Sequence, residues 1–480
     1  MKQAGRRVGR VWLAGMVVLS VTAALPRAAQ APPAEVKARA GAFFEALASF
    51  DPVRFEAMAQ SSFTPDLLSR RSADERRQMV ERIKNDFGTL TLSSIEAAGG
   101  DKVTLVVRGI GAMQGRIELT FEPAPPHRIS LMGIRVEAGA RGPERELPPP
   151  PIRPTMTAAE LGGALDGYVA KLAETGAFSG VVLVAKEGVP SYRKAFGLAN
   201  REAREANTVD TRFNLGSINK VFTKTAIGQL VSQGRLALSD TIGQLLPAYP
   251  NTQARAATVE QLLTHRAGVA DFFGPAFDGT PKSRFQSNAD YYRFVAPQPL
   301  LFEPGSATRY CNGCYIVLGA IIERVTGQPY EDYVAAHVYK PAGMAGAGPF
   351  HSDHLPQNVA IGYTRQGQGA GGALTNAAGM HGVSGSAAGG GYATALDLLA
   401  WENATRDGRL LDPKMTAWFF DSGPPVPGRN NAGIGFAGGA PGINASIESD
   451  GSWTVIALAN LDPPAATGLA QAIYRQLSAK

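Results

Sequence analysis

Ser217 and Lys220 stand three residues apart, where an apolar segment begins. They lie between Phe213–Gly216 and the run Val221–Ile227, whose pattern predicts a helix. Side chains at positions i and i+3 share one face of a helix, so the amine can reach the hydroxyl. Unpaired N–H groups at a helix N-terminus favour developing negative charge. A serine there, beside a partly desolvated lysine, is an activated nucleophile.

This short serine–lysine spacing also occurs where it has no catalytic role, and the chain contains a second copy. Ser191 and Lys194 have the same spacing, but they follow the Glu187-Gly188 turn in a segment predicted as the second strand of a hairpin. On a strand, positions i and i+3 point to opposite faces, so this pair cannot cooperate. For Ser217 the alternative is an ordinary helix-capping serine.

A phenol and an amide form a second candidate element. Tyr310 and Asn312 follow the turn Glu303-Pro304-Gly305 and precede the apolar run Tyr315–Ile322, which predicts a helix. From one short loop the phenol can relay a proton, and the amide can orient a substrate carbonyl or the lysine. The alternative is a tyrosine at the rim of a core and an asparagine as helix N-cap.

From about Ala158 to Lys480 the chain resembles the serine β-lactamase and penicillin-binding-protein superfamily, in particular its class C β-lactamase-like branch of esterases and D-amino-acid peptidases. The resemblance rests on motifs that occur in the expected order. They are Phe178–Val184, the Ser217/Lys220 pair, Leu236–Asp240 with Leu246-Pro247, Gln261–Val269, the Tyr310/Asn312 loop with Ile321–Gly327, Ala388–Tyr392, and Gly438–Asn444 before the strand Trp453–Asn460. The resemblance implies an α+β fold, an antiparallel sheet flanked by helices together with a helical region.

The resemblance also implies roles for individual residues. Ser217 would be the acylated nucleophile and Lys220 its proton acceptor. Tyr310 would share the acid/base work and protonate the leaving group, while Asn312 would hold the substrate. The backbone N–H groups of Ser217 and Gly439 would form the oxyanion hole, where two donors aimed at the developing charge supply the largest single electrostatic contribution.

One position departs from the family pattern. Where the family usually has Lys or His, then any residue, then Gly, this chain has Phe436-Ala437-Gly438, so we expect Phe436 and Gly438 to face the substrate. A phenylalanine can neither donate a hydrogen bond nor attract a carboxylate. Its presence argues against efficient β-lactamase or transpeptidase activity and for neutral substrates. Another cation, such as Arg266, is the alternative partner for a substrate carboxylate.

These residues predict an exported serine hydrolase that forms an acyl-enzyme on small esters or amides, with small-molecule ester, amide or peptide substrates and no cofactor. Within the enzyme class, the alternative is a D-amino-acid peptidase or a weak β-lactamase, whose serine would be labelled by penicillin. Outside it, the alternative is a non-catalytic binding scaffold that retains the same fold.

Residues 1–31 have the pattern of a secretory leader. Basic residues precede an uncharged stretch from Val11 to Leu25, and Ala29-Gln30-Ala31 is a small-residue cleavage signal. The pattern predicts a periplasmic or secreted protein, with an uncleaved N-terminal membrane anchor as the alternative. The leader holds five basic residues and no acidic ones, so the formal net charge of +6 falls to +1 without it. This balance gives no reason to expect nucleic-acid binding.

The two cysteines, Cys311 and Cys314, flank Asn312 and Gly313. Two ligands are too few for a closed zinc site, so no metal is expected. The favoured interpretation is a pair of small residues that fill a tight loop, and a local disulfide formed in an oxidising compartment is the alternative.

Two further segments precede the hydrolase-like domain (157–480). Residues 35–140 are predicted to form a small α+β domain, helices followed by four strands, whose order resembles the nuclear-transport-factor-like fold. We expect this domain to pack against the hydrolase domain or to bind a ligand. Residues 141–156 are a proline-rich linker centred on Pro148–Pro151. In the larger domain His265 is expected to be a hydrogen-bonded structural histidine, because no Gly-x-Ser-x-Gly elbow accompanies it.

Overall fold

The chain divides into two compact units, Met1–Gly139 and Ala140–Lys480. The computed structural model describes residues 34–69, 73, 76–77, 79–80, 83, 90–97, 101–108, 114–137, 147, 149–366, 373–421 and 433–478. Within these ranges, no helix is both long enough and apolar enough to cross a bilayer.

In the smaller unit, helices precede an antiparallel meander of four strands in the order β1-β2-β3-β4. These elements are α1 (Ala34–Ala48), α2 (Pro52–Ser62), α3 (Pro65–Ser69), β1 (Thr91–Ala97), β2 (Lys102–Arg108), β3 (Gln114–Phe121) and β4 (Ile129–Glu137). The order of helices followed by strands agrees with the sequence analysis, and the likeness to the nuclear-transport-factor fold stays a prediction. The capping-box pattern Ser72-Ala73-Asp74-Glu75 predicts a further helix that runs to about Asp86, and this segment lies mostly outside the described residues.

Apolar alternation builds the core of this unit. Along β2 the side chains of Val103, Leu105 and Val107 are buried while their neighbours are not, as expected for a strand with one face on a core. Aromatic side chains of the helical segment complete the core. The Phe43 and Phe55 rings, for example, meet edge to face at 5.7 Å between centroids.

The described strands of the larger unit are, in chain order, β5 (Gly180–Lys186), β6 (Val189–Phe196), β7 (Leu198–Asn200), β8 (Glu205–Ala206), β9 (Phe213–Asn214), β10 (Tyr363–Thr364), β11 (Thr375–Asn376), β12 (Tyr392–Ala393), β13 (Ile434–Ala440), β14 (Ile443–Ser449) and β15 (Trp453–Ala459). Five of them form the central antiparallel sheet, in the order β13-β14-β15-β5-β6. Strands from both ends of this unit therefore share one sheet, as predicted.

Both faces of the central strands are covered. Along β5, Val182 and Val184 face one apolar cluster, whereas Val181 and Leu183 face the other. A strand buried on both faces reads as a continuous apolar run, which Gly180–Lys186 is except at its last residue. The sheet with helices on both faces confirms the predicted α+β class.

Helices fill the space between these strands. They are α4 (Ala158–Glu174), α5 (Lys220–Ser232), α6 (Ile242–Leu245), α7 (Val259–Leu263), α8 (Pro275–Asp278), α9 (Asn288–Val295), α10 (Asn312–Thr326), α11 (Tyr330–Val334), α12 (Lys340–Ala342), α13 (Ala395–Arg406), α14 (Pro413–Asp421) and α15 (Ala465–Leu477). Thr157 caps α4 in a capping box with Glu160. The side chains of α4 and α15 cover one face of the sheet.

Candidate active site

Ser217 lies in a tight turn that leads directly into α5. The turn is a 3₁₀ helix, Gly216–Asn219, and not the first turn of an α-helix as the sequence suggested. A 3₁₀ helix has about three residues per turn, so side chains three apart superpose along its axis. The side chains of Ser217 and Lys220 therefore lie on the same side of the turn, next to each other. Gly216 has φ +50, a left-handed conformation that favours glycine.

A loop from the far end of the chain holds this turn in place. Asn219 Nδ2 donates a hydrogen bond to the carbonyl of Ser386 at 2.6 Å. One turn further on, Thr223 Oγ1 donates to the carbonyl of Ala387 at 2.7 Å. Both donors are buried. The start of α5 is thus fixed by contacts to residues more than 160 positions away in the chain.

Lys220 is 7% exposed, and its amine is surrounded by oxygen atoms. Nζ lies 3.1 Å from Ser217 Oγ and 2.7 Å from Asn312 Oδ1, and it also contacts the carbonyl of Ala388. Burial lowers the pKa of Lys220 to about 7, against an opposing effect of the Asp271 carboxylate. A neutral amine has two N–H groups and one lone pair. Asn312 and Ala388 accept the two N–H groups, which leaves the lone pair for the Ser217 proton.

Tyr310 approaches the same serine from the other side. Its hydroxyl donates a hydrogen bond to Ser217 Oγ at 2.7 Å, and its ring centroid lies 4.9 Å from Lys220 Nζ. Desolvation raises the pKa of Tyr310, with the Ser217 hydrogen bond acting in the opposite direction. The phenol therefore stays protonated at neutral pH. Tyr310, Ser217 and Lys220 form one continuous hydrogen-bonded chain.

Asn312 is held by a residue that sequence reasoning did not find. Its side-chain Nδ2 donates to Asp271 Oδ2 at 2.8 Å, and its backbone N–H donates to the same oxygen at 3.1 Å. With Nδ2 fixed in this way, Oδ1 faces Lys220. Asp271 follows the recognisable segment Gln261–Val269 by two residues, but no local signal links it to an amide 41 positions away.

The edge of strand β13 passes directly beside Ser217. A Cβ atom added to Gly438 would lie 1.9 Å from the Leu215 carbonyl oxygen and 2.8 Å from the Ser217 nitrogen, so only glycine fits there. Ala440 pairs with Ile443 across a two-residue turn. By the alternation of an antiparallel ladder, the Gly439 N–H then points out of the sheet. Ser217 and Gly439 both line one cavity.

Two residues expected to face the substrate do not line this cavity. Gly438 packs against the Leu215 backbone. The Phe436 ring packs against Trp401 and Phe419, with centroids 6.5 and 6.3 Å away, because side chains of β13 alternate and this one faces the helical core. Neither residue is in the lining of this cavity, and contact of Phe436 or Gly438 with a substrate stays a prediction.

The cavity above Ser217 has a volume of about 190 Å³ and an uncharged lining. Among its described lining residues there is no Asp, Glu, Lys or Arg. Its histidine, His381, is half-buried. Desolvation lowers the pKa of the imidazole, and its Nε2 donates to the Pro441 carbonyl at 2.8 Å. The neutrality that we inferred from Phe436 is thus a property of the cavity wall as a whole.

The other residues singled out in the sequence, His265, the two cysteines and Ser191, make contacts that explain them structurally. His265 Nδ1 accepts a hydrogen bond from the Cys311 N–H at 3.2 Å, and burial lowers its pKa to about 4, so it is a neutral structural histidine as predicted. Cys311 and Cys314 form a disulfide with a Cα–Cα distance of 5.3 Å, which is the alternative that the sequence analysis did not favour. The look-alike Ser191 lies on β6, as predicted.

Within the described ranges, no three His, Cys, Asp or Glu side chains are grouped so that they could hold a metal ion. The groups gathered around Ser217 are its own hydroxyl, the Lys220 amine and the Tyr310 phenol. These are groups that a serine hydrolase uses.

Comparison with known sequences identifies the family. The profile of the Beta-lactamase family matches residues 165–479, and the chain belongs to this family, whose members include serine hydrolases. PbpX of Bacillus subtilis (strain 168), which bears the name of a penicillin-binding protein, is 31% identical over 304 residues, covering 61% of this chain and 73% of PbpX. Esterase EstB of Burkholderia gladioli is 34% identical over 223 residues, covering 44% of this chain and 56% of EstB.

Solved structures agree with this assignment. A penicillin-binding protein from Bacillus halodurans superposes with a TM-score of 0.55 at 28% identity, covering 62% of this chain and 96% of that one. This chain matches a smaller share of the length of the relatives identified by sequence. The chain spans little more than half the length of EstB and 42% of penicillin-binding protein 4* of Bacillus subtilis (strain 168).

Proposed function

We propose that this protein hydrolyses neutral esters and amides through an acyl-enzyme on Ser217. The observation that carries the proposal is the chain of three groups in which Ser217 Oγ lies 3.1 Å from Lys220 Nζ and 2.7 Å from the Tyr310 hydroxyl. A nucleophile with a base on one side and an acid on the other can both attack a carbonyl and release its leaving group.

Acylation begins when the neutral amine of Lys220 takes the proton of Ser217 and Oγ attacks the substrate carbonyl carbon. The resulting oxyanion is stabilised by the N–H groups of Ser217 and Gly439. When the bond to the leaving group breaks, Tyr310 donates a proton to the departing oxygen or nitrogen. The phenolate regains its proton from the Lys220 ammonium, so the resting protonation state returns with Ser217 acylated.

Deacylation repeats these steps with water in place of the serine. The Lys220/Tyr310 pair removes a proton from water as its oxygen attacks the acyl carbon, and the oxyanion again faces the two backbone donors. Collapse expels Ser217 Oγ, which recovers a proton, and the free acid leaves. The two hydrogen bonds at Ser217 Oγ, one to Lys220 and one to Tyr310, support the proton transfers to and from this atom.

Neutral substrates are favoured because no charged side chain lies among the described residues of the cavity wall. A carboxylate buried there without a cation would lose its hydration uncompensated. A relative named as an esterase supports ester substrates, and a distant structural neighbour titled D-amino acid amidase has the same fold.

The simplest test measures turnover of p-nitrophenyl acetate by the wild type and by Ser217→Ala. We expect the substitution to lower kcat by about a thousandfold or more. Ser191→Ala is the matched control, since Ser191 has the same serine–lysine spacing but lies on β6. Equal turnover in wild type and Ser217→Ala would refute the proposal.

A second candidate function, D-amino-acid peptidase or weak β-lactamase activity, is favoured by the relatives that bear the name penicillin-binding protein. It predicts covalent labelling of Ser217 by penicillin. A non-catalytic scaffold predicts no adduct with either penicillin or a fluorophosphonate probe. Mass spectrometry of the folded protein after each incubation separates the three outcomes.

We further infer export from the composition of residues 1–31, in which basic residues precede an uncharged stretch and a small-residue cleavage signal. N-terminal sequencing of the protein recovered from its native host tests this inference. An N-terminus near residue 31 supports a cleaved leader, and an intact Met1 in a membrane fraction supports an anchor. An intact Met1 in the cytosol would overturn it.

A further inference from the structure

One wall of the cavity above Ser217 consists of aromatic rings. Phe272, Phe273, Phe277 and Tyr291 line it, and we call these four residues the aromatic wall. Neighbouring centroids are 4.3 Å apart for Phe272–Phe273, 5.4 Å for Phe273–Phe277 and 5.0 Å for Phe272–Tyr291. Such spacings are those of rings in direct contact.

The aromatic wall is preformed. Phe272, Phe277 and Tyr291 are each less than 8% exposed, and the Tyr291 hydroxyl donates to the Ser384 carbonyl at 3.3 Å. Phe273 differs because it is 53% exposed while it contacts two other rings of the wall. A large apolar side chain that stays in solvent at the mouth of a cavity is suited to contact a ligand.

The aromatic wall is also fixed relative to the reacting groups. Phe272 directly follows Asp271, whose carboxylate holds Asn312, which in turn accepts a hydrogen bond from Lys220. The lining of the cavity also includes aliphatic residues, among them Leu355, Ile361 and Val383. A flat apolar group packed against the aromatic wall would therefore lie at a set distance from Ser217.

We propose that the aromatic wall binds an uncharged apolar group of about the size of one ring, carried by the ester that Ser217 attacks. This deepens the proposed function, on which it rests. The cavity volume of about 190 Å³ fits such a group, because an apolar cavity of about 150 Å³ suffices for benzene. The uncharged lining excludes a carboxylate on the same group. The ring belongs to the acyl or to the alcohol part of the ester.

A set of alkyl esters tests the proposal, with hydrolysis followed by pH-stat titration. Ethyl acetate has no ring, ethyl phenylacetate has one in the acyl part, and benzyl acetate has one in the alcohol part. We expect kcat/KM for one of the two ring esters to exceed that for ethyl acetate by about tenfold or more. Which ester gains identifies the part that contacts the aromatic wall. Ethyl 4-carboxyphenylacetate, which adds a charge to the ring, should lose that gain.

The Phe273→Ala variant tests whether the aromatic wall causes the gain in kcat/KM of the ring ester. It should lower kcat/KM for the favoured ring ester about tenfold more than for ethyl acetate. Leu301→Ala is the control, since Leu301 is also an exposed large apolar residue, at 45%, but does not line the cavity. It should leave the ratio between the two esters unchanged. Equal rates for ring and ringless esters, or an equal loss on both in Phe273→Ala, would overturn the proposal.

A binding measurement separates this proposal from the proposed function. Benzyl alcohol should bind Ser217→Ala in isothermal titration calorimetry and should bind the double variant Ser217→Ala/Phe273→Ala at least tenfold more weakly. If no ester is hydrolysed but this difference appears, the hydrolase proposal fails and the apolar site stands. If esters are hydrolysed but benzyl alcohol binds both variants equally, the apolar site fails alone.

Discussion

Asp271 accepts two hydrogen bonds from Asn312, one from the side-chain amide at 2.8 Å and one from the backbone N–H at 3.1 Å. These bonds fix the amide so that its oxygen meets Lys220 Nζ at 2.7 Å. The carboxylate also acts through space, because it opposes the fall in the pKa of Lys220 caused by burial. Asp271 therefore influences the base in two ways without touching Ser217.

The pH dependence of the wild type follows from the base. Burial lowers the pKa of Lys220 to about 7, and only the neutral amine can accept the Ser217 proton. We expect kcat/KM for ethyl acetate to rise with pH through about 7 and then to reach a plateau. Desolvation raises the pKa of Tyr310, so the phenol stays protonated across this plateau. A profile that is flat from pH 6 to 9 would contradict this assignment of the base.

Asp271→Asn should move this profile. Without the carboxylate, the cationic form of Lys220 loses a favourable interaction, so its pKa falls and the acid limb shifts to lower pH. We also expect kcat to fall about tenfold, because the amide of Asn312 then has a neutral acceptor in place of a charged one and is held less firmly. The pH–rate profile distinguishes this role from a purely structural one. A lower rate at every pH with an unmoved limb would mean that Asp271 only supports the fold.

Two buried lysines on α5 allow a matched comparison. Lys220 and Lys224 are both less than 10% exposed, and burial lowers the pKa of each to about 7. Lys224, however, donates to the Phe419 carbonyl at 2.7 Å, away from Ser217. We expect Lys220→Met to lower kcat by about 10²–10⁴. Lys224→Met should stay near the wild-type rate, with circular dichroism to check folding.

Local features of this chain were predictable, and distant contacts were not. The strand Trp453–Ala459 and the facing of Ser217 and Lys220 follow from patterns within a few residues, because side-chain periodicity is set by the backbone. The Asp271–Asn312 pair joins residues 41 positions apart, and Lys220 reaches a carbonyl 168 positions away. Only the tertiary fold brings such groups together.

Phe436 illustrates a second limit. The sequence showed both the position of Phe436 in the motif and the strand Ile434–Ala440 that carries it. How far along the strand the cavity extends was not predictable: Ala440, on the same face, lines the cavity, whereas the Phe436 ring packs against Trp401 and Phe419. The uncharged cavity that Phe436 suggested is formed by other residues, with Phe272 and Phe273 among them.

Tyr310→Phe isolates the contribution of the phenol hydroxyl. The ring beside Lys220 is retained while the hydrogen bond to Ser217 is removed. We expect kcat to fall about 10²-fold, with a greater loss for substrates that have poorer leaving groups, because these depend most on proton donation. Tyr315→Phe is the control, since its ring also faces Lys220, at 5.5 Å, but its hydroxyl donates to the Leu263 carbonyl. Similar losses in both variants would show that the hydroxyl of Tyr310 has no special role.

Gly438→Ala tests how closely β13 must approach the Ser217 turn. The added Cβ would lie 1.9 Å from the Leu215 carbonyl oxygen and 2.8 Å from the Ser217 nitrogen, so either the strand or the turn must move. We expect a loss of about 1–3 kcal/mol in the free energy of unfolding. We also expect a fall of about 100-fold in kcat, because the two oxyanion donors separate.

The control for this substitution is Gly163→Ala in α4, where an added Cβ would meet no atom within 4 Å. A helical glycine replaced by alanine should raise the free energy of unfolding by about 1 kcal/mol and leave kcat unchanged. Denaturant titration and ester turnover of both variants give the comparison. If Gly438→Ala loses stability but keeps full activity, the Gly439 N–H is not an oxyanion donor, since its distance from Ser217 then does not matter to the reaction.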